Sequence, residues 1–236
     1  MDLPTRILLF YVILLVSLVV HEAAHALFAY LGGDRTAYVG GQVTLNPAPH
    51  IRREPLGTVI LPLAMLIMSK GTMCMGFAHA PFDPVWAYRH PKRAALMAAA
   101  GPISNLLLAA LAFSALQVLI MTGAAETIDG SYGAGARFAS KLEMLAPTDP
   151  MNSYVAGAIK MASVFLLLNV LLAFINLMPI PPFDGAGIIE GLFPRTASLF
   201  SMIRGQLVLM LIGLILVWRA LDEWFWPIMG WIYRML

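Results

Sequence analysis

The motif His21-Glu22-Ala23-Ala24-His25 lies inside a long apolar segment, and this combination constrains the chain more than any other feature. Ile7 to Val20 contains no charged residue, and the apolar character resumes after the motif and continues to Leu31. This segment exceeds the ~20 residues that a helix needs to cross a bilayer, so we predict a first membrane span over about residues 6–31. Ionisable side chains at such a depth are costly and usually serve a function.

The spacing within the motif predicts a metal-dependent catalytic centre. On a helix, residues four apart share a face, so the side chains of His21 and His25 can bind one metal ion. Glu22 lies about 100° further round the helix and can reach a water molecule beside that ion. The motif is a weak signal in a soluble helix, but inside a membrane span its three titratable side chains require an explanation.

The composition agrees with a membrane protein of several spans. The chain has 236 residues, of which 60% are hydrophobic and only 12% are charged, and this balance is typical of a polytopic membrane protein rather than a soluble enzyme. Its net charge of +2 and its lack of basic runs give no indication of nucleic-acid binding. Cys74 is the single cysteine, which excludes an intrachain disulfide and a Cys-rich zinc site.

Further apolar segments predict an all-α polytopic membrane protein with about four to six transmembrane helices. Clear spans are predicted over residues 94–122, 153–178 and 205–221. Residues 56–69 are apolar but too few to cross a bilayer and contain Pro62, so we predict a re-entrant segment there. The whole chain, 1–236, is interpreted as one intramembrane domain, with a core over about 6–190 and C-terminal helices over 196–236.

Two connections between the spans receive their own predictions. Residues 36–46 are rich in β-branched residues, Tyr and Gly, a pattern that predicts a small membrane-associated β-hairpin. Residues 123–152 form the longest polar stretch and are predicted to be a loop outside the membrane. The region from Pro179 to about Ser201 is also predicted to be a loop, because four residues, Pro179-Ile180-Pro181-Pro182, end the preceding span sharply.

The distribution of Lys and Arg suggests an orientation. If residues 56–70 dip into the membrane and return, more of the basic residues fall on one side than on the other, and the positive-inside rule makes that side cytoplasmic. The residues on that side are Arg35, Arg52, Arg53, Arg89, Lys92, Arg93, Arg195 and Arg204. If residues 56–70 cross the membrane instead, the two halves of the site described next are separated.

Asp184 is the best candidate for a third metal ligand. Two imidazoles make an incomplete catalytic zinc site, which needs another protein ligand and an open position for water. Asp184 follows the third span directly, and the prolines before it and Gly185 after it allow its carboxylate to be directed back between the helices. Considered alone, the same residue can equally be a turn or helix-end aspartate.

Asn105 is a candidate of a different kind. It ends the run Gly101-Pro102-Ile103-Ser104-Asn105 in the second clear span, where Gly and Pro allow another backbone to approach closely. Its amide can hold an extended peptide or a developing oxyanion, or it can serve only as a contact between helices. Asn169 and Asn176 are interpreted as such contacts.

Together the three motifs resemble those of the site-2 protease family, the intramembrane zinc metalloproteases. The matching stretches are His21–His25, Gly101–Asn105 and Asn176–Gly185, in the order that the family shows. The chain is similar to short single-unit members without PDZ or CBS domains. It departs from the family pattern at Phe183, where Leu often precedes Asp-Gly, and no feature of residues 123–152 can be matched.

The resemblance implies one zinc ion per chain held by His21, His25 and Asp184, with Glu22 as the general base. It implies hydrolysis of peptide bonds in transmembrane protein substrates, a site towards the cytoplasmic side of a bacterial cell membrane, and a substrate-presenting hairpin within residues 36–55. We expect a lipid environment, no nucleic-acid partner and a possible homo-oligomer. The alternative is a catalytically silent metal-binding membrane protein or a transporter, although a transporter is expected to show repeats or polar residues spread over several spans.

Overall fold

The computed structural model describes residues 1–72, 74–128 and 145–236. In chain order the helices and strands are α1 Leu3–Leu31, α2 Thr36–Val39, α3 Pro47–Arg53, α4 Leu61–Met68, α5 Pro84–Arg89, α6 Pro91–Met121, β1 Ala125–Thr127, β2 Leu145–Pro147, α7 Ser153–Asn176, α8 Asp184–Leu192, α9 Ala197–Arg204, α10 Leu207–Ala220 and α11 Trp226–Tyr233. Short π-helical turns, Leu56–Ile60 and Leu221–Phe225, precede α4 and α11, and a 3₁₀ turn at Pro194–Thr196 precedes α9.

Three helices, α1, α6 and α7, are long and apolar enough to cross a membrane. A fourth candidate is the pair Pro194–Arg204 and Leu207–Tyr233, which is bent by 103°. Within the described residues the chain therefore has three spans, or four if the bent pair counts as one, which meets the lower end of the predicted range. The fold is an all-α polytopic membrane protein with a small antiparallel two-stranded sheet.

The helices α1 and α6 pack antiparallel to each other. His21 contacts Asn105, whereas His25, further along α1, contacts Met97, which comes earlier on α6. The chain therefore leaves α1 and enters α6 at the same end of the bundle. Because it returns to the end from which it left, the intervening apolar segment Leu56–Met68, which is shorter than a span, fits the predicted re-entrant segment rather than a crossing.

Helix α7 runs parallel to α1 and brings the third span to the same level. Asn169 hydrogen-bonds to Ser17 in α1, and the chain beyond α7 then places Asp184 beside His21, one turn further along α1. The end of α1, the start of α6 and the end of α7 thus meet at one level, as the topology prediction requires. The re-entrant segment packs against α1 and α7 through Leu66, which is fully buried.

The placement of the β-hairpin within residues 36–46, and within 36–55 by resemblance, is wrong. Residues 36–46 contain α2, and residues 36–55 contain both α2 and α3. The buried Asp34 carboxylate accepts hydrogen bonds from the amide and hydroxyl of Thr36, which turns the chain into a helical turn despite its β-branched residues. Burial acts to raise the pKa of Asp34, but hydrogen bonds from Thr36 and Asp83 outweigh it and lower that pKa.

The two-stranded sheet lies instead in the region predicted as a long loop. β1 and β2 pair antiparallel, with Ala125 opposite Pro147 and Thr127 opposite Leu145. The centre of the predicted loop, residues 129–144, lies outside the described residues. The predicted loop over 179–201 also requires correction, because it contains α8.

Candidate metal centre

Three residues of the motif lie on the buried side of α1. His21, Glu22 and His25 are 4%, 3% and 7% exposed, so all three are enclosed by neighbouring helices. One ligand atom from each lies within 4.8 Å of the others. The helical spacing inferred from the sequence therefore places the two imidazoles and the carboxylate around one small volume.

Asp184 reaches the same volume from the start of α8. Its Oδ2 atom lies 3.1 Å from His21 Nε2 and 3.3 Å from His25 Nε2. The following glycine makes this possible, because a Cβ at Gly185 would come within 2.4 Å of the carbonyl oxygens of Leu177 and Met178. The backbone of Gly185 is helical, so the glycine is needed for this close approach rather than for the tight turn predicted from the sequence.

The hydrogen bonds of the two imidazoles indicate where their lone pairs point. His25 Nδ1–H donates to the carbonyl oxygen of Met97 over 2.7 Å, and a carbonyl oxygen can only accept. His21 Nδ1 lies 2.6 Å from Asn105 Oδ1, which also accepts. With the protons on both Nδ1 atoms, the Nε2 atoms carry lone pairs, and these two atoms are 3.0 Å apart.

The donor set fits a divalent cation of the zinc type. His21 Nε2, His25 Nε2 and Asp184 Oδ2 form a triangle with sides of 3.0, 3.1 and 3.3 Å. Three ligand atoms of a tetrahedral zinc ion, each at about 2.0–2.1 Å, are separated by about 3.3 Å. Two neutral imidazole lone pairs and a carboxylate repel one another at such distances, and a cation between them removes the repulsion. Asp184 Oδ2 is buried without a hydrogen-bond partner, as expected of an atom kept for an ion.

Glu22 is available for proton transfer. Its Oε2 atom is buried and has no hydrogen-bond partner, a state that costs free energy in a folded protein. One of its carboxylate oxygens lies within 4.8 Å of an imidazole nitrogen of each histidine, close enough to reach a water molecule beside a bound ion. A carboxylate in this position can act as a general base towards such a water molecule, or as a further ligand.

Helix α6 approaches the two histidines through Gly101. A Cβ at this position would lie 2.3 Å from His25 Nε2 and 2.6 Å from His21 Nε2. The lack of a side chain therefore allows the backbone of α6 to form one wall of the site. The sequence identified this glycine as a point of close approach, and the groups it approaches are the imidazoles of His21 and His25.

The structure places Asn105 behind His21 rather than facing open space. Its side chain is fully buried, and its amide nitrogen donates to Asn169 Oδ1 over 2.9 Å. Ser17 and the carbonyl of Met97 were not identified from the sequence. Asn169 was interpreted as a contact between helices, and its hydrogen bonds to Asn105 and Ser17 confirm this. A polar residue in the middle of an apolar span was the available signal for Asn169, whereas a backbone carbonyl gives none.

Comparison with known proteins assigns a family to this arrangement. Residues 9–220 match the family model described as "Peptidase family M50". The chain is 35% identical over 184 residues to a Bacillus subtilis protein named "Putative zinc metalloprotease YwhC", covering 77% of this chain and 67% of that protein. It is 28% identical over 222 residues to "Putative zinc metalloprotease Rip2" of Mycobacterium tuberculosis, covering 94% of this chain and 71% of that protein. No solved structure shows significant similarity to the chain.

Proposed function

The chain belongs to peptidase family M50, the site-2 proteases, and from this we propose that it hydrolyses peptide bonds within or near transmembrane segments of membrane protein substrates. Family membership makes it a membrane zinc metalloprotease, while the position of the cut and a role in regulated intramembrane proteolysis are the proposal. One observation carries it: two imidazoles and a carboxylate meet between three apolar helices that are each long enough to span a membrane.

The proposed roles follow from the contacts. His21, His25 and Asp184 hold one zinc ion per chain, and their Nε2 and Oδ2 atoms are the ligand atoms. Bound zinc supplies Lewis-acid chemistry, polarising a peptide carbonyl and lowering the pKa of water. Glu22 accepts the proton of the attacking water and returns it to the leaving amine, since its free oxygen is buried beside the ligands. Burial also excludes bulk water, which strengthens the electrostatic interactions.

The proposed orientation places the site towards the cytoplasmic side of a bacterial cell membrane. The connections between α1 and α6 leave and enter the bundle at the end where the proposed metal centre lies, and they carry Arg35, Arg52, Arg53 and Arg89, with Lys92 in the first turn of α6. Basic residues in short connections favour the cytoplasmic side. The matched relatives come from bacteria, which supports a bacterial cell membrane as the location.

The test is cleavage of a defined membrane substrate. The purified protein is reconstituted in vesicles with a single-span reporter, and the products are mapped by mass spectrometry. We expect a cut within or next to the span, loss of cleavage after chelation and recovery on addition of zinc. A zinc-bound protein that cleaves no spanning reporter, including reporters already trimmed outside the membrane, would favour a silent metal-binding protein.

Asp184→Asn tests the third ligand. The substitution keeps the shape and one oxygen but removes the only anionic charge of the ligand triangle. We expect the zinc dissociation constant to rise by at least about tenfold, because losing even an outer hydrogen-bond partner of a ligand costs 10–100-fold. Competition with a chromophoric chelator measures the constant, and Asp222→Asn, on the distant π-helical turn, is the matched control. Unchanged zinc affinity would remove Asp184 from the ligand set.

A further inference from the structure

A fully buried cluster of three polar side chains connects α1, α6 and α7 directly behind the metal centre. Ser17, Asn105 and Asn169 are each 0% exposed and come from three different spans. Polar side chains at such depth are costly unless they are satisfied and useful. From these contacts we propose that Asn169 and Ser17 are positioning residues: they fix the amide orientation of Asn105, and Asn105 in turn fixes the tautomer in which His21 binds zinc.

The direction of the hydrogen bonds is set by two backbone carbonyls, which can only accept. Ser17 Oγ donates its proton to the carbonyl of Ile13 over 2.8 Å, so it is free to accept from another side chain. Asn169 Nδ2 donates to the carbonyl of Phe165 and to Ser17 Oγ, both over 2.9 Å. The nitrogen of the Asn169 amide therefore faces α1, and its oxygen is turned towards α6.

The same logic continues to the metal ligand. Asn105 Nδ2 donates to Asn169 Oδ1 over 2.9 Å and points towards the Ser17 carbonyl at 3.4 Å. Asn105 Oδ1 consequently faces His21, and its lone pair requires the proton of that imidazole on Nδ1, 2.6 Å away. His21 Nε2 is then left with its lone pair directed at His25 and Asp184. A reversed Asn105 amide would stabilise the other tautomer, which carries a proton where the ion must bind.

This inference rests on the proposed zinc site, and it explains why the two histidines are held by different kinds of group. His25 is fixed by a backbone carbonyl, which cannot be reversed, whereas His21 is fixed by a side-chain amide, which can. Asn169 and Ser17 remove this freedom to reverse, because their hydrogen bonds hold the Asn105 amide in one orientation. Asn105 is therefore interpreted as holding a ligand rather than the substrate peptide.

The test measures zinc affinity in the purified full chain, with zinc alone as the probe. Asn169→Leu removes the acceptor that fixes the Asn105 amide, and we expect the zinc dissociation constant to rise ~10–100-fold, the usual effect of losing an outer partner of a ligand. The decisive variant adds Asn105→Asp to Asn169→Leu. A carboxylate has no donor to reverse and accepts from His21 in either orientation, so the double variant is expected to bind zinc more tightly than Asn169→Leu.

Comparing the double variant with Asn169→Leu distinguishes a positioning role of Asn169 from a packing role. If Asn169 only fills space between helices, replacing Asn105 as well will weaken binding further or leave it unchanged, and either result overturns the inference. If Asn169→Leu fails to fold, Ser17→Ala is compared with Ser163→Ala, an equally buried serine on α7 outside the cluster. Weaker zinc binding in Ser17→Ala alone supports the inference, and equal effects overturn it.

Two further outcomes distinguish the inference from the function on which it depends. A wild-type protein without zinc affinity, or a His21→Ala variant with wild-type affinity, overturns the proposed metal site and with it the inference. Normal zinc binding in wild type and in Asn169→Leu overturns the inference alone. Cobalt in place of zinc provides a spectroscopic check, because its visible absorption depends on the number and geometry of its ligands, and the double variant is expected to recover the wild-type spectrum.

Discussion

Replacing Glu22 by Gln is expected to abolish cleavage while leaving the metal centre intact. Glutamine keeps the length and shape of the side chain but cannot accept a proton. A positioned general acid–base group contributes about 10²–10⁴-fold to a rate, so we expect the rate of reporter cleavage to fall by that factor. Zinc content should remain at the wild-type level, because the proposed ligands of the ion are His21, His25 and Asp184. Reporter cleavage in vesicles and metal analysis of the same preparation provide the two measurements.

The matched control for this substitution is Glu223→Gln, which makes the same chemical change on the distant π-helical turn before α11. It should cleave the reporter like wild type. Cleavage by Glu22→Gln at more than about a tenth of the wild-type rate would exclude Glu22 as the general base. A loss of zinc in Glu22→Gln would instead identify it as a ligand. His21, His25 and Asp184 already offer the three protein ligands of a catalytic zinc site that keeps one position open for water, which argues against the second outcome.

The parts of the site that could be predicted from sequence are those fixed by local geometry. The helical repeat alone places His21 and His25 on one face, and the length of an apolar run alone predicts a span. Predicting the position of Asp184 also required the topological argument that three spans meet at one level of the membrane. The contacts of its carboxylate with both histidines agree with that argument. Its role as a ligand remains a prediction.

The parts that could not be predicted depend on distances between helices or on competition for a hydrogen bond. The prediction of a β-hairpin over residues 36–46 failed because the buried Asp34 carboxylate accepts a hydrogen bond from the amide of Thr36 and turns the chain. This contact outweighs the β-propensity of the residues that follow. Asn105 was interpreted as a possible holder of peptide because a span gives no sign of which neighbour an amide faces. Only the packing of α6 against α7 reveals that the amide nitrogen of Asn105 donates a hydrogen bond to Asn169.

Gly101→Ala is expected to remove zinc from the protein and cleavage with it. The added methyl would lie 2.3 Å from His25 Nε2 and 2.6 Å from His21 Nε2, closer than non-bonded atoms can approach. The backbone of α6 cannot easily retreat, because Asn105 and Met97 on either side of this position are hydrogen-bonded to the same two histidines. The imidazoles must therefore turn away, which separates the ligand atoms. Overpacking of this kind typically costs about 1–3 kcal/mol, so most of the fold should survive.

The control for Gly101→Ala is Gly157→Ala in α7, where a Cβ would meet no atom within 4 Å. Both substitutions raise helix propensity equally, so a difference between them reports contact with the metal centre rather than an effect on helix stability. Zinc content, thermal stability and reporter cleavage should all stay at wild-type levels in Gly157→Ala. If Gly101→Ala retained one zinc ion per chain, α6 would have to move away without breaking its hydrogen bonds to both histidines. The glycine would then be a consequence of close helix packing rather than a requirement of the site.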